Sequence, residues 1–280
     1  MTNLAPGALG RTSLVPRDAV RPQTDTLGAD WFEAPVCRNC GTLRDTPYCA
    51  SCGQKAAKRF AWRDLVRESW DRLRFFELKS VKTLARLATR PGTVARNYVL
   101  GRRTRYMHPL TLLIALVAVL VLVLAANRYF DPYGSAEGDL SRMADRVMDY
   151  ATWSFSLGIV AVFVGSWTTF RRRLGYNAVE HAVLAVYVQC IILAAIIVNM
   201  VPTLIWRDAA FVAGHRAASQ YYLYAIKLVV VALAYRQFFL LDLRADWHRL
   251  VLACVVYGVC SWLLLRAYAA GILWLVTSSV

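Results

Sequence analysis

The sequence predicts a mainly α-helical, polytopic membrane protein with about five transmembrane helices, juxtamembrane amphipathic helices and a small N-terminal ribbon. Of the 280 residues, 58% are hydrophobic, whereas soluble domains usually contain about 45–50% apolar residues. The excess lies in about the last 170 residues, in runs long enough to cross a bilayer. Ahead of these runs, four of the seven cysteines fall within sixteen residues, a density that predicts a compact ribbon.

Composition divides the chain into four segments. Residues 1–35 are rich in Pro, Gly, Thr and Asp and are predicted to form a disordered tail. They contain no apolar core of about 7–15 residues like that of a signal peptide, so the N-terminus is expected in the cytosol. Residues 36–55 form the ribbon, residues 56–107 basic amphipathic helices, and residues 108–280 the transmembrane domain.

The cysteines of the ribbon follow the pattern C-x2-C-x8-C-x2-C. Two thiolates two residues apart can bind one ion from a tight turn, and the glycine after each pair permits the positive φ that the turn needs. Four thiolates suit tetrahedral Zn²⁺ and leave no open position, which predicts a structural zinc site. An iron–sulfur cluster and two disulfides are the alternatives, and a reducing cytosol disfavours the disulfides. The predicted ligands are Cys37, Cys40, Cys49 and Cys52.

Positive charge is concentrated directly before the first apolar run. Residues 55–105 contain fifteen Lys or Arg and four acids, or +11 of the net +15. Apolar residues recur there at helical spacing, as in helices that lie on a membrane surface or pack on a membrane domain. Anionic lipid of the inner leaflet is the expected partner; the charge would also suit nucleic acid, but the adjoining apolar run favours lipid. The predicted lipid contacts are Trp62, Arg102, Arg103 and Arg105.

Five apolar segments are predicted to span the membrane. Arginine-rich loops precede the first, follow the second and join the fourth to the fifth, whereas the other loops carry fewer positive charges. The positive-inside rule therefore predicts a cytoplasmic N-terminus and an outer C-terminus. Residues 267–280 either prolong the fifth span or lie along the outer interface. The predicted spans are 108–126, 152–170, 181–201, 220–241 and 250–270.

Ionisable residues at membrane depth are costly and mark candidates for function. The histidines, with a neighbouring glutamate, are expected at the cytosolic ends of spans and could converge on a metal or a proton site, or simply favour the interface. Lys227, expected about 10 Å inside the outer end of the fourth span, and Arg266 either reach the outer headgroups or bind an anionic group. Asn199 and Gln189 are expected to bond to neighbouring helices. The candidates are Glu180, His181, His108, His248, Lys227 and Arg266.

Four stretches of the chain resemble a bacterial membrane family of unknown function: "CRNCG", "YCASCGQK", "KTLARLATRPGTVARNYVLGRRTRYMHPL" and "YNAVEHAVLAVY". The resemblance covers residues 37 to about 200. It implies a zinc ribbon, a basic arm and four or five helices in a bacterial inner membrane, but no activity. The arm positions that match its R-P-G and Y-x-x-G-x-R-x-R-Y-x-x-P signature are Arg90, Pro91, Gly92, Tyr98, Gly101, Arg103, Arg105, Tyr106 and Pro109. Glu180 and His181 match a glutamate–histidine pair at the start of a later span.

The function expected first is that of a non-enzymatic inner-membrane protein whose zinc ribbon recruits a cytosolic protein partner. One alternative is a transporter or lipid-handling protein with a polar site among the helices. Another is a membrane enzyme that uses the histidines and the glutamate at the cytosolic face. An enzyme is the less favoured class, because the chain contains no G-x-S-x-G, H-E-x-x-H, Walker or G-x-G-x-x-G motif.

Overall fold

The computed structural model describes residues 30–59, 61–62, 79–127 and 156–278, and these are mainly helical. Four of the helices are long and apolar enough to cross a membrane, which confirms the predicted class of polytopic helical membrane protein. Within the described residues, the ribbon contributes two isolated antiparallel β-bridges. The helices are α1 (Asp30–Glu33), α2 (Lys79–Thr89), α3 (Pro91–Val99), α4 (Pro109–Ala126), α5 (Ser156–Phe170), α6 (Ala178–Ile205), α7 (Ala209–Phe238) and α8 (Trp247–Ser278).

Helix α6 is the centre of the bundle. Its spanning window is 72% buried, against 12% for α7 and 11% for α8. On one side, the Tyr187 hydroxyl donates to the carbonyl of Met107 at the start of α4, at 2.6 Å. On another side, Asn199 accepts one hydrogen bond from the Tyr222 hydroxyl of α7 and a second, at its carbonyl, from His215. The prediction that Asn199 bonds to a neighbouring helix is therefore confirmed.

Helix α3 packs into the bundle at a point where no side chain fits. A Cβ at Gly92 would lie 2.1 Å from the carbonyl oxygen of Ala234 and 2.7 Å from the amide nitrogen of Phe238, both in α7. Glycine is the residue that lets two backbones approach this closely. Further along α3, Tyr98 is fully buried, with its ring edge-on to Tyr187 at 5.6 Å. This part of the basic arm is therefore packed on the membrane helices.

The helices differ from the predicted spans in three places. The second predicted span appears as the shorter helix α5, while residues 152–155 lie outside the described residues. Helix α7 begins eleven residues earlier than predicted, because the Asp208 side chain caps it by accepting a hydrogen bond from the Phe211 amide at 3.0 Å. Helix α8 continues without a break to Ser278, so residues 267–278 prolong the last helix.

The loops that follow α5 and α7 meet at one end of the bundle, which we call the ribbon end because the ribbon lies there. Arg173 joins these two loops. Its guanidinium donates to the carbonyl of Phe239 at 3.0 Å and pairs with the carboxylate of Asp246 at 2.9 Å. One arginine of the predicted basic loop therefore stabilises the protein itself.

Candidate functional site

The ribbon consists of two knuckles with the same internal hydrogen bonds. In each knuckle, the glycine after the second cysteine donates from its amide to the carbonyl of the first cysteine, at 2.8 Å: Gly41 to Cys37 and Gly53 to Cys49. Both glycines have positive φ, 83° and 67°, a region that a residue without Cβ enters at little cost. The repeated turn brings the two thiols of each knuckle to the same point.

The four sulfur atoms of the ribbon form one compact group. The Sγ atom of Cys37 lies 3.6 Å from that of Cys52, and the Sγ atom of Cys40 lies 3.5 Å from that of Cys49. All four lie within 4.8 Å of one another. Metal–thiolate bonds of about 2.3 Å in a tetrahedron put the sulfurs about 3.8 Å apart, so the group could bind one metal ion. The cysteines are free thiols and not two disulfides.

The thiols of this group differ in how readily they lose a proton. Burial raises the pKa of Cys37 to about 12. Burial acts in the same direction at Cys40, but hydrogen bonds from Thr42 and from neighbouring thiols outweigh it and lower that pKa to about 6. Cys40 therefore loses its proton more readily than Cys37, and the buried Cys37 thiol would lose its proton as an ion binds.

One face of the ribbon is docked on the loop between α3 and α4. Gln54 is buried; its amide nitrogen donates to the carbonyl of Gly101 at 2.5 Å, and its oxygen accepts from the hydroxyl of Thr104 at 3.1 Å. Gly101 has a φ of 103°, and a Cβ there would lie 2.7 Å from the Cβ of Ala57. The loop therefore fits the ribbon only with glycine at this position.

Trp31 and Arg38 add a second contact to the same loop. The indole nitrogen of Trp31 donates to the carbonyl of Leu100 at 3.4 Å. The guanidinium of Arg38 lies over the Trp31 ring, 3.7 Å from its centroid, and donates to the Trp31 carbonyl. Residues 30–33, in the segment expected as a disordered tail, form the helix α1, and this cation–π contact holds Trp31 against the ribbon; residues 1–29 of that segment lie outside the described residues.

The chain that leaves the ribbon is connected to the start of α6. Arg59 donates to the carbonyl of Gly175, and its Nε lies 3.4 Å from Oε1 of the fully buried Glu180. The other carboxylate oxygen accepts from the amide of Asn177 at 2.7 Å, and the Asn177 side chain accepts from the amide of Glu180 at 2.9 Å. This is a capping box. Glu180 therefore both begins α6 and holds the segment that follows the ribbon.

We expect Arg59→Ala to destabilise the attachment of the ribbon by about 1–2 kcal/mol. This range lies between the cost of breaking a buried ion pair and that of an exposed one, since the Arg59 side chain is 36% exposed and Glu180 is not exposed at all. Protease resistance of residues 36–59 in the purified full chain measures the change. Lys58→Ala is the control, because the Lys58 residue is exposed and Arg103 binds its backbone carbonyl, which the substitution keeps. Equal resistance of both variants would contradict the role of the ion pair.

The histidines predicted to converge with Glu180 do not form a metal site. Among the described residues, the four cysteines are the one group in which three or more ligating side chains come together. His108 is buried at the start of α4, with the Tyr98 ring edge-on at 6.0 Å. His248 lies exposed at the start of α8. The expected convergence on a metal is therefore not found.

His181 is a core residue surrounded by aromatic rings. Its ring lies 5.3 Å from those of Trp167 and Phe239, and its Nδ1 is 3.0 Å from the hydroxyl oxygen of Ser166. Because that hydroxyl donates to the carbonyl of Phe163 at 2.9 Å, we assign the ring proton to Nδ1. Within the described part of the chain, Nε2 has no hydrogen-bond partner. His181 thus joins α5 to α6.

The four predicted lipid contacts divide into two kinds. Trp62, at 55% exposed, and Arg105 are both accessible. Arg102 is half-buried, whereas Arg103 is only 9% exposed and donates to the carbonyl of Lys58. Arg103 therefore serves ribbon docking in place of the predicted lipid contact.

Lys227 and Arg266 lie away from the ribbon end. Lys227 is half-buried in α7 and nine residues from Arg236, which is about 14 Å along a helix and about half the thickness of a bilayer core. Because α7 begins at Ala209, Lys227 lies about 27 Å from that end of the helix, and not the expected 10 Å. The guanidinium of Arg266 lies 4.9 Å from the centroid of the Trp262 ring.

Three residues that hold the ribbon on the bundle or cap α6 beside it were not predicted as site residues: Gln54, Arg59 and Asn177. Asn177 and Glu180 carry the Asn-x-x-Glu signature of a capping box, so the start of α6 was recognisable in the sequence. Gln54 and Arg59 carry no comparable signal. Their partners lie 47 and 121 residues away along the chain.

Comparison with known proteins gives one family match. The model of a family described as "Protein of unknown function (DUF3667)" matches residues 79–121, which comprise α2, α3, the ribbon-docking loop and most of α4. No curated protein and no solved structure matches the chain. The chain is thus similar to this family across its arm and first span, and the description of the family names no activity.

Proposed function

We propose that the protein is a multi-pass protein of the bacterial inner membrane that uses a structural Zn²⁺ ion to fold a cytoplasmic docking ribbon. The compact group of four thiols carries the proposal. A segment of about 20 residues cannot bury enough apolar surface to fold alone, and only Cys37 and Cys49 are buried apolar residues in the two knuckles. A bound ion supplies that missing stability, and zinc suits a closed set of four thiolates.

The charge distribution supports a cytoplasmic position for the ribbon. Basic residues of the arm and of the loops after α5 and α7 are gathered at the ribbon end, and such residues mark the cytoplasmic side. Exposed Arg105, Arg171 and Arg172 are among them. Anionic lipid headgroups at this surface would add about 1 kcal/mol per basic residue.

The exposed surface of the ribbon is suited to a protein partner. The connection between the knuckles exposes Leu43 at 50% and Tyr48 at 57%. Exposed aromatic and aliphatic residues on a rigid support are typical anchors of protein interfaces. The ribbon is held on the loop between α3 and α4 through Gln54, so these exposed residues are presented in a fixed orientation.

Site-specific photo-crosslinking in living cells tests this function. A photoreactive amino acid at Tyr48 is expected to form a discrete adduct with a cytosolic protein. Introducing Cys40→Ser in the same chain should abolish that adduct, because the ribbon no longer folds. A photoreactive residue at Ala88, exposed on α2 of the arm, is the matched control and should not yield the same adduct. Adducts with lipid alone, or a protein adduct that survives Cys40→Ser, would contradict the adaptor role.

A further inference from the structure

An apolar groove runs between α7 and α8 on the side of the bundle that faces the membrane. Its volume is about 770 Å³. Both helices expose most of their spanning surface. The lining residues are aliphatic or small, apart from one tyrosine and one tryptophan: Tyr224, Leu228, Val229, Ala232, Leu250, Val251, Cys254, Val255, Gly258, Val259 and Trp262. Such a surface suits a hydrocarbon chain.

The groove is slightly longer than the acyl-chain region of one leaflet, which is about 15 Å, half of the hydrocarbon core. From Leu250 to Trp262 it follows about 18 Å of helix. Arg266, one turn further, is about 28 Å from Trp247, where α8 begins. Since the hydrocarbon core is about 30 Å thick, Arg266 lies at the headgroup level opposite the ribbon end when Trp247 lies at the other interface.

A cation stands at the far end of this groove. The guanidinium of Arg266 lies over the ring of Trp262, which lines the groove. This contact keeps the positive charge beside the opening. Arginine binds phosphate through several N–H donors in a fixed plane. The groove therefore offers an apolar channel with a phosphate-binding group at its mouth.

We propose that the groove holds an acyl chain of a phospholipid and that Arg266 binds the phosphate of its headgroup. A helix from a second copy would fill the apolar channel equally well, but α7 and α8 contain no Asp or Glu to pair with Arg266. A phospholipid supplies both the chain and the anion. Gly258 lines the channel opposite Tyr224, and a Cβ there would lie 3.4 Å from the Tyr224 hydroxyl, so a larger side chain at this position would occupy the channel.

Native mass spectrometry of the full-length, detergent-solubilised protein tests this site. The probes are phosphatidylglycerol and a diacylglycerol with the same acyl chains but no phosphate. Arg266→Gln is expected to reduce phosphatidylglycerol retention about ten-fold, which corresponds to one charge-assisted hydrogen-bonding group, and to leave diacylglycerol retention unchanged. Gly258→Leu, which fills the channel, should reduce retention of both. Arg236→Gln, at the other end of α7, should match the wild type.

Two results would overturn the proposal. One is equal phosphatidylglycerol retention by Arg266→Gln and Arg236→Gln, which would mean that Arg266 contacts only bulk headgroups. The other is a wild-type dimer that Gly258→Leu converts to a monomer, which would identify a second copy as the occupant. Arg266→Lys guards against misfolding, because it keeps the charge and should retain part of the phosphatidylglycerol binding if the site is as proposed.

Discussion

Cys49→Ser is expected to abolish metal binding and to unfold the ribbon. Cys49 is 2% exposed and its Sγ is one of the four that form the compact group. A serine leaves a three-thiolate site in a segment that has no apolar core to replace the lost ligand. Because apparent zinc-binding energies of about 10–16 kcal/mol are folding energy in small metal-bound domains, metal content should fall from one ion per chain to nearly none.

Elemental analysis of the purified full-length protein measures this loss. Cys260→Ser is the matched control, since Cys260 is a half-buried cysteine in α8 outside the thiol group. It should keep one ion per chain. Metal content that stays unchanged in Cys49→Ser would show that these thiols are not the ligands. Equal loss in both variants would point to general misfolding.

Gly92→Ala is expected to destabilise the membrane domain by about 3 kcal/mol, at the upper end of the usual cost of overpacking. The added Cβ would meet the backbone of α7 at 2.1 and 2.7 Å. A backbone cannot move aside as a flexible side chain can, so α3 must shift away from α7. Because α3 leads directly into the ribbon-docking loop, the ribbon attachment should also weaken.

Thermal unfolding in lipid nanodiscs measures this loss of stability. The control is a helical glycine at which an added Cβ would meet no neighbouring atom. A Cβ at Gly214 of α7 meets nothing within 4 Å, so Gly214→Ala should leave stability unchanged or raise it by up to about 1 kcal/mol through helix propensity. Similar melting temperatures for the Gly92 and Gly214 variants would contradict the close packing of α3 on α7.

The sequence was sufficient to predict the elements whose cause is local. Spacing placed the four thiols and the two glycines in one ribbon, because each knuckle is closed by bonds between residues four positions apart. Long apolar runs predicted the membrane helices. The start of α7 was missed although Asp208 is a recognisable N-cap, since the run of small and polar residues after it weakened the apolar signal.

Long-range contacts explain what could not be predicted. Arg59 and Glu180 form an ion pair although 121 residues of chain separate them, and no sequence pattern indicates that they are partners. Glu180 was singled out as an ionisable residue at the start of a span, and its place in a capping box and an ion pair explains its burial. Gly92 was matched as part of the arm signature, and only the position of α7 gives it a physical reason.

We expect that a bound metal ion folds the ribbon and thereby holds it on the loop between α3 and α4. Hydrogen–deuterium exchange of residues 101–104 in Cys49→Ser and in Cys260→Ser tests it most directly. Gln54 of the ribbon and Ala57, which follows the ribbon, contact these residues. If the metal ion holds the ribbon in place, the amides of residues 101–104 should exchange faster in Cys49→Ser than in Cys260→Ser, with exchange in α6 unchanged. Equal protection of residues 101–104 in both variants would contradict it.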